Sequence, residues 1–584
     1  MNNVCLVHFK GFSIQLQQPV SGDPQERQEI IQRVNQVLET DVIQQVDLFG
    51  SESIESTDLV EMLAKAQYKE NISVAKAWDW TYRLRSQSWV IHAEPRFALL
   101  DVTGGVKGIP PQGTVFPEKT NDREWHLKQI KVPDAWQAFF SDSKLPGQGI
   151  KIALPDTGYL FHPALEGVLF EGYSLKTIEQ YDFVENRPGG KGWADNPDPD
   201  KFGHGVSVAS LIFSPPKGEN IPGIAYGAEP IFLRIVPSDS GTGQELFTPP
   251  LARAINYAID REAHIISISM GGYPTLPVRR AILNAQKKGI IVVASAGNHV
   301  PFTVWPGAYD QVIAVASSTV EPSIATHSSR GSRVNIAAPG EYVWCATSDS
   351  PFQHSYGRRS GTSFATPLVA GVAALWLSHW GLTYLSERYG VERIPLVFDK
   401  LLRETSDRPD IPDDWDKTYW GAGIVNAYKL LNVDPLPDPD DPAIQVPPTF
   451  EQVDHVRLDR GGVETFAHLF EQTLSNSEFI KGISNRLLTD STFLQELRAK
   501  RLDITQWLLS KLFDQSGKEL RMFLQTFGQE LAFHCGINQS LYKLLEKAFM
   551  EAASSHAQSN NSLHNARKEL KNSAYVSEYL KKYL

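Results

Sequence analysis

The sequence predicts an α/β protein: a doubly wound, mostly parallel sheet, preceded by an α+β domain and followed by an all-α domain. Three observations predict it. Between about 124 and 432, short apolar runs alternate with amphipathic ones, as strand–helix–strand units do. Two punctuated stretches bracket that region, a Gly/Pro-rich one at 101–123 and an acidic, Pro-rich one at 433–448. From 449 to 584 apolar residues recur at helical spacing. The expected domains are therefore 1–100, 124–432 and 449–584.

Composition sets limits on partners. The chain has 584 residues, and 42% of them are hydrophobic, enough for large cores. The formal charge of −11 argues against a nucleic-acid or anionic-membrane partner, and no basic stripe with interleaved aromatics offsets it. No apolar run is long enough to span a membrane. Cys5, Cys345 and Cys535 are odd in number and far apart, so they read as ordinary thiols. The opening MNNVCLVHFKGFSIQL lacks the pattern of a secretion signal, and a cytoplasmic protein is expected.

In the first domain, Val4–Leu16 reads as a strand. Asp23-Pro24 opens a helix carrying Ile30, Ile31, Val34, Val37 and Leu38 on one face. Val42–Phe49 reads as a strand, Thr57–Gln67 and Val74–Leu84 as helices, and Trp89–Leu100 as a strand. Trp78 and Trp80 fall on different faces of their helix.

The central region carries the chemistry. Gly149–Leu154 is a strand running into Pro155-Asp156-Thr157-Gly158, which puts a carboxylate at a strand end. His204 stands between glycines at a predicted helix start. Ile290–Ala294 is a strand ending in Ser295-Ala296-Gly297-Asn298. Gly357–Trp380 begins as a Gly/Ser loop and becomes an apolar helix, with Thr362 and Ser363 at its start. Pro367 is placed in its first turn, where a missing N–H costs nothing. Each residue alone has an ordinary reading: a turn aspartate, a surface histidine, a turn asparagine, a capping serine. Together they supply a nucleophile, a base, a carboxylate to orient it and a donor for an oxyanion.

These segments resemble the subtilisin-like serine proteases, the subtilases, whose triad runs Asp, His, Ser along the chain. The matching stretches are ALPDTGYLFHPAL around Asp156, GHGVSVAS around His204, SAGN at Asn298, SGTSFATPLVAG around Ser363 and the closing GAGIVNA, Gly421–Ala427. The resemblance implies a protein- or peptide-cleaving endopeptidase with Ser363 as nucleophile, His204 as base and Asp156 as its orienting carboxylate. Asn298 and the Ser363 N–H would form the oxyanion hole. Ser269, Met270 and Gly271 would pair with an extended substrate. Ala296, Gly297 and Val304 would outline the specificity pocket, with Val304 narrowing its floor toward small or medium apolar side chains. Pro155, Val206, Phe364 and Leu368 depart from the usual residues without removing a catalytic group. No cofactor is required for this chemistry. A structural calcium is compatible with Asp195, Asp198 and Asp200, although such a loop more often reads as solvated carboxylates. A silent, subtilase-fold scaffold is the alternative, and the intact quartet favours the enzyme.

The resemblance reaches the flanks unequally. VIHAEPRFAL, Val90–Leu99, resembles the end of a subtilase prodomain, which would make 1–100 a folding aid and inhibitor, either self-cleaved within 101–123 or retained as a regulator. It says nothing of the C-terminal helices, where a regulatory protein could dock. Their stripes, Ile504–Leu512, Leu520–Phe527 and Leu541–Ala548, are read as their own core, and Ser554–His564 as a flexible loop.

Overall fold

The computed structural model describes residues 7–21, 23–48, 56–64, 72–99, 114–159, 162–168, 170–171, 174–175, 180–184, 186–188, 203–236, 248–272, 274–299, 302–350, 353–409, 420–434, 436–445, 526–531, 533–534, 539–554 and 559–584. They group into two compact units. One joins Met1–Phe49 and Ile54–Val102 to the C-terminal segment from Pro447; the other is Thr103–Val446 with Gly50–Ser53.

In the first unit, β1 (Val7–Ser21), β2 (Ile43–Leu48), β3 (Ser56–Ala64) and β4 (Val90–Leu99) form an antiparallel sheet in the order β2-β3-β1-β4. Helices α1 (Pro24–Leu38) and α2 (Val74–Arg85) accompany it. Asp23 caps α1 by accepting from Gln25 N–H, as its Asp-Pro start requires. Ile30, Ile31, Val34 and Leu38 meet Phe12, Ile14 and Val60 in one core. The segment expected as a helix at Thr57–Gln67 is a strand instead. Leu59, Met62 and Leu63 have helical spacing, but pairing to β1 on one side and β2 on the other satisfies the backbone of β3.

The second unit is an eight-stranded sheet, ordered β14-β13-β12-β11-β5-β10-β8-β9. Its strands are β5 (Lys151–Asp156), β8 (Gln180–Asp182), β9 (Arg187–Pro188), β10 (Glu229–Arg234), β11 (Ile265–Ile268), β12 (Ile291–Ser295), β13 (Val312–Ser318) and β14 (Val334–Pro339). Seven run parallel and β9 alone is antiparallel. Two hairpins lie outside it: β6 (Phe170–Glu171) with β7 (Ser174–Leu175), and β15 (Val343–Ser350) with β16 (Gln353–Arg359). Both sheet faces are covered, as an all-apolar strand demands. Ile265, Val293 and Val315 share a core with α6 (Thr362–Trp380), while Ile266, Val292 and Ala314, pointing the other way, are just as buried. Helix α3 (His204–Phe213) packs on α6, and α4 (Thr248–Asp260) packs on α5 (Leu276–Lys287). Helix α6 is buried from Thr362 through Ser378, which explains its apolar sequence all round. Among the described residues no single helix is long and apolar enough to cross a membrane.

The strand order reverses beside β5. Later strands extend from it to one side through β10 and to the other through β11. Ligands of such sheets bind at the carboxyl ends of the strands flanking that point. The acidic stretch after 432 is partly folded onto this unit: Leu436 and Ile444 join its core, and Arg393 donates to Pro439 O at 2.9 Å.

The C-terminal segment is helical, with α7 (Gln539–Ser554), α8 (Ser559–Asn572) and α9 (Glu578–Lys581). Leu541, Leu545 and Ala548 are buried, as their stripe predicts. The stripe at 504–512 lies outside the described residues, and of the one at 520–527 the residues before Thr526 do. Its Phe527 is buried between Tyr583 and Tyr82 of the N-terminal segment, so the core it joins is shared rather than the helices' own. Ser559–His564, expected as part of a flexible loop, opens α8, where Ala566 and Leu570 bury the following turns.

Burial in the second unit has a consequence for pH. Desolvation pushes His126 down to about 3, and His162 and His327 down to about 4. Unfolded, these imidazoles take protons near pH 6.5; folded, they refuse them until far lower. Their contribution is complete above about pH 6.5 and is lost as pH falls toward 4. Urea unfolding at a series of pH values should show stability declining across that window, and His126→Phe should make the slope shallower. An unchanged slope would show that His126 is not held neutral.

Candidate active site

Asp156 ends β5, at the point where the strand order reverses. Its Oδ1 accepts three hydrogen bonds: from His204 Nδ1 at 2.8 Å, from Thr157 N at 2.7 Å and from Thr157 Oγ1 at 3.2 Å. The His204 and Asp156 side chains are each 1% exposed, so the pair is shielded from water. Donation by Nδ1–H makes Nε2 the basic ring nitrogen. Thr157 Oγ1 also accepts from Gly205 N at 3.1 Å, which ties the aspartate loop to the start of α3.

Glycines set how closely these elements approach. Gly203 precedes α3 with φ of 58°, a left-handed turn into the helix. A Cβ on Gly205 would stand 2.0 Å from the Gly158 carbonyl oxygen, so the two backbones are in direct contact.

Ser363 is the second residue of α6. Its hydroxyl donates to the Ser269 carbonyl at 2.9 Å, and Ser269 Oγ donates to the Ser363 carbonyl at 2.9 Å. The second bond explains Pro367. That proline is the sixth residue of α6, beyond the first turn where the sequence placed it. A residue there would normally donate its N–H to the carbonyl of Ser363. Proline has none, and the Ser269 hydroxyl takes its place. Thr366 Oγ1 likewise donates back to Thr362 O at 2.8 Å.

Asn298 follows β12. Its Oδ1 accepts from Thr362 N at 2.9 Å and from Thr362 Oγ1 at 3.2 Å. A backbone N–H can only donate, so the oxygen of the amide must face Thr362. The Asn298 Nδ2 group is thereby turned away, as a donor. The Thr362 hydroxyl in turn accepts from Gly297 N at 3.3 Å. One threonine therefore links the end of β12 to the start of the serine helix.

Of the expected pocket residues, Val304 is central. A Cβ on Gly271 would meet Val304 Cγ2 at 2.1 Å, and one on Gly297 would meet Val304 Cγ1 at 2.9 Å. Val304 thus packs between two glycines, with its N–H on Ala296 O at 2.9 Å. Ser269 is buried, whereas Met270 and Gly271 are partly exposed just past β11. Asp195, Asp198 and Asp200 lie outside the described residues. Among the described residues no group of three or more His, Cys, Asp or Glu is placed to hold a metal.

The structure adds a role for residues beside the predicted ones. Thr157 ties the Asp156 loop to the start of α3, and Thr362, which the sequence placed only at the helix start, ties the end of β12 to the Ser363 helix. The Gly205–Gly158 contact gives a test. Gly205→Ala should slow modification of Ser363 by a serine-reactive phosphonate by about a hundredfold, the scale of a 1 Å misplacement. An unchanged rate would mean that this contact does not place the imidazole.

Comparison with known proteins identifies the family. The peptidase S8 model, the subtilase family, matches residues 147–388. The major intracellular serine protease of Bacillus subtilis (strain 168) is 30% identical over 332 residues, which are 56% of this chain and 94% of that one. Thermitase of Thermoactinomyces vulgaris is 32% identical over 315 residues, 53% of this chain and 96% of its own. Crystalline fervidolysin from Fervidobacterium pennivorans, described as a keratinolytic enzyme related to subtilisin, shares the fold. It has a TM-score of 0.53 at 21% identity and covers 74% of this chain and 61% of its own. The family match and relatives covered over nearly their whole length lead to one conclusion: the chain belongs to the subtilase family of serine endopeptidases.

Proposed function

We propose that this endopeptidase cuts peptide bonds with Ser363, His204 and Asp156, and that its flanking domains regulate it inside the cell. The observation that carries the reading is the buried 2.8 Å bond from His204 Nδ1 to Asp156 Oδ1. In the reaction, the Ser363 hydroxyl turns from the Ser269 carbonyl and gives its proton to His204 Nε2 as Oγ bonds to the substrate carbonyl carbon. Asp156 steadies the imidazolium. Asn298 Nδ2 and the Ser363 N–H, at a helix start, donate to the oxyanion. His204 then protonates the leaving amine, and water releases the acyl group by the same steps reversed. The B. subtilis relative, named as an intracellular enzyme, supports a cytoplasmic setting.

The N-terminal domain is read as a prodomain-like regulator. The segment entering the catalytic unit suggests where a self-cut would fall. Arg358 lies over the Phe116 ring at 4.2 Å and the Trp344 ring at 4.5 Å, and Arg123 lies over Tyr356 at 4.7 Å. Trp344 Nε1 donates to Thr120 O at 2.7 Å. Residues from Phe116 onward are therefore held against the β15–β16 hairpin, and the favoured site narrows to 101–115. Intact mass should show the wild type shortened there and Ser363→Ala at full length. Phosphonate labelling should be lost in the same variant. A fully processed wild type that takes no label would overturn the assigned nucleophile, and a shortened Ser363→Ala would overturn self-cleavage.

The packing of Val304 between Gly271 and Gly297 supports a preference for small or medium apolar side chains before the cleaved bond. Val304→Ala should raise kcat/KM for leucine or phenylalanine relative to alanine at that position by about tenfold. Equal ratios in the two proteins would remove Val304 from the pocket.

A further inference from the structure

Helix α2 has two buried faces. Trp80 and Leu84 enter the core of the N-terminal sheet, where Trp80 lies near Phe9 and Phe12. Trp78, Asp79, Tyr82 and Arg85 meet the C-terminal segment instead. Trp78 and Phe97 flank Phe533, with ring centroids at 6.1 and 4.8 Å, and Tyr82 meets Phe527 at 5.1 Å and Tyr579 at 5.5 Å.

At the centre of this contact is Glu530, fully buried. Its Oε2 accepts from Tyr82 OH at 2.7 Å and Ser577 Oγ at 2.8 Å. Its Oε1 accepts from Ser577 N at 2.7 Å and lies 3.2 Å from His534 Nε2. Two oxygens thus meet four groups, three from the distant Tyr82 and Ser577 and one from His534 a turn away, which fills the capacity of a carboxylate. Arg85 adds bonds to Thr526 O at 3.1 Å and Gln529 Oε1 at 2.7 Å, and Asp79 Oδ1 accepts from Tyr579 N at 3.0 Å. Each of these groups would be costly to bury unpaired, so the contact is specific as well as apolar.

We propose that the C-terminal helices are a built-in clamp that keeps the N-terminal domain attached after the chain is cut between the domains. The clamp belongs covalently to the catalytic chain through residues 433–525. A cut within 101–115 therefore removes one tether and leaves this one. A domain so held stays at high effective concentration beside its own catalytic unit rather than diffusing away. Its dissociation then depends on breaking the Glu530 and Phe533 contacts, not on the cut alone. The proposal extends the reading of 1–100 as a regulator that can be severed.

The test uses the full chain carrying Ser363→Ala and an inserted recognition site for an added protease between 105 and 110. It therefore does not depend on self-cleavage, and its failure would be separate from failure of that reading. After cutting, native gel filtration should find the N-terminal fragment eluting with the remainder, and hydrogen exchange should find α2 still protected. Phe533→Asp should weaken retention by about a hundredfold. Tyr82→Phe, which keeps the ring and removes one hydrogen bond, should speed release by about five- to tenfold. A thermal melt of each uncut variant checks folding. A fragment that separates from the unsubstituted chain overturns the clamp. So does equal retention in all three proteins, which would place the holding contacts elsewhere.

Discussion

A helix buried on every side must find partners for its polar ends inside the protein. That constraint on α6 organises the catalytic unit. From Thr362 to Ser378 no residue reaches solvent appreciably, so water cannot serve the unpaired N–H groups at the helix start. Asn298 Oδ1 takes the first of them, from Thr362. The preceding Gly361 N–H goes to Gly340 O at 2.7 Å. The Ser363 carbonyl, deprived of a partner by Pro367, is served by Ser269. Three strand ends are thereby drawn to one helix terminus. The positions of Asn298, Ser269 and Gly340 around Ser363 follow from satisfying that terminus.

The same accounting describes the candidate site. Ser269 and Thr362 hold the serine segment through hydrogen bonds that need no substrate. The Asn298 oxygen anchors the helix, which leaves its nitrogen turned away as a donor. The Ser363 hydroxyl rests on the Ser269 carbonyl by a single hydrogen bond. Asp156 is fixed more strongly, by three donors on one oxygen, and so holds the imidazole ring in place.

Outside the catalytic unit, the two chain ends solve each other's burial problem. Helix α2 carries more large apolar surface than its own sheet can cover, with Trp78 and Tyr82 turned away from Trp80. The C-terminal segment carries Phe527 and Phe533, which are buried against Tyr82, Trp78 and Phe97. Packed together, these surfaces enclose a carboxylate that would be prohibitive to bury without its donors.

Sequence alone determined the doubly wound fold and the helical C-terminus, and it named the four residues of the candidate site. The reason is local: each lies in a short motif whose glycines and apolar neighbours fix its conformation. It also anticipated that Trp78 and Trp80 face apart, since periodicity reports direction. Only the tertiary structure decided that 56–64 is a strand, because two-sided pairing overrode its helical spacing. Tertiary structure alone joined Thr157 to Gly205, Thr362 to Asn298 and Ser269 to Ser363, and gave Tyr82 and Glu530 to each other across 448 positions. These are hydrogen bonds between residues far apart in the chain or held by a loop's exact course. A pattern read along the sequence states what each segment offers, but which distant partner accepts it is settled by packing.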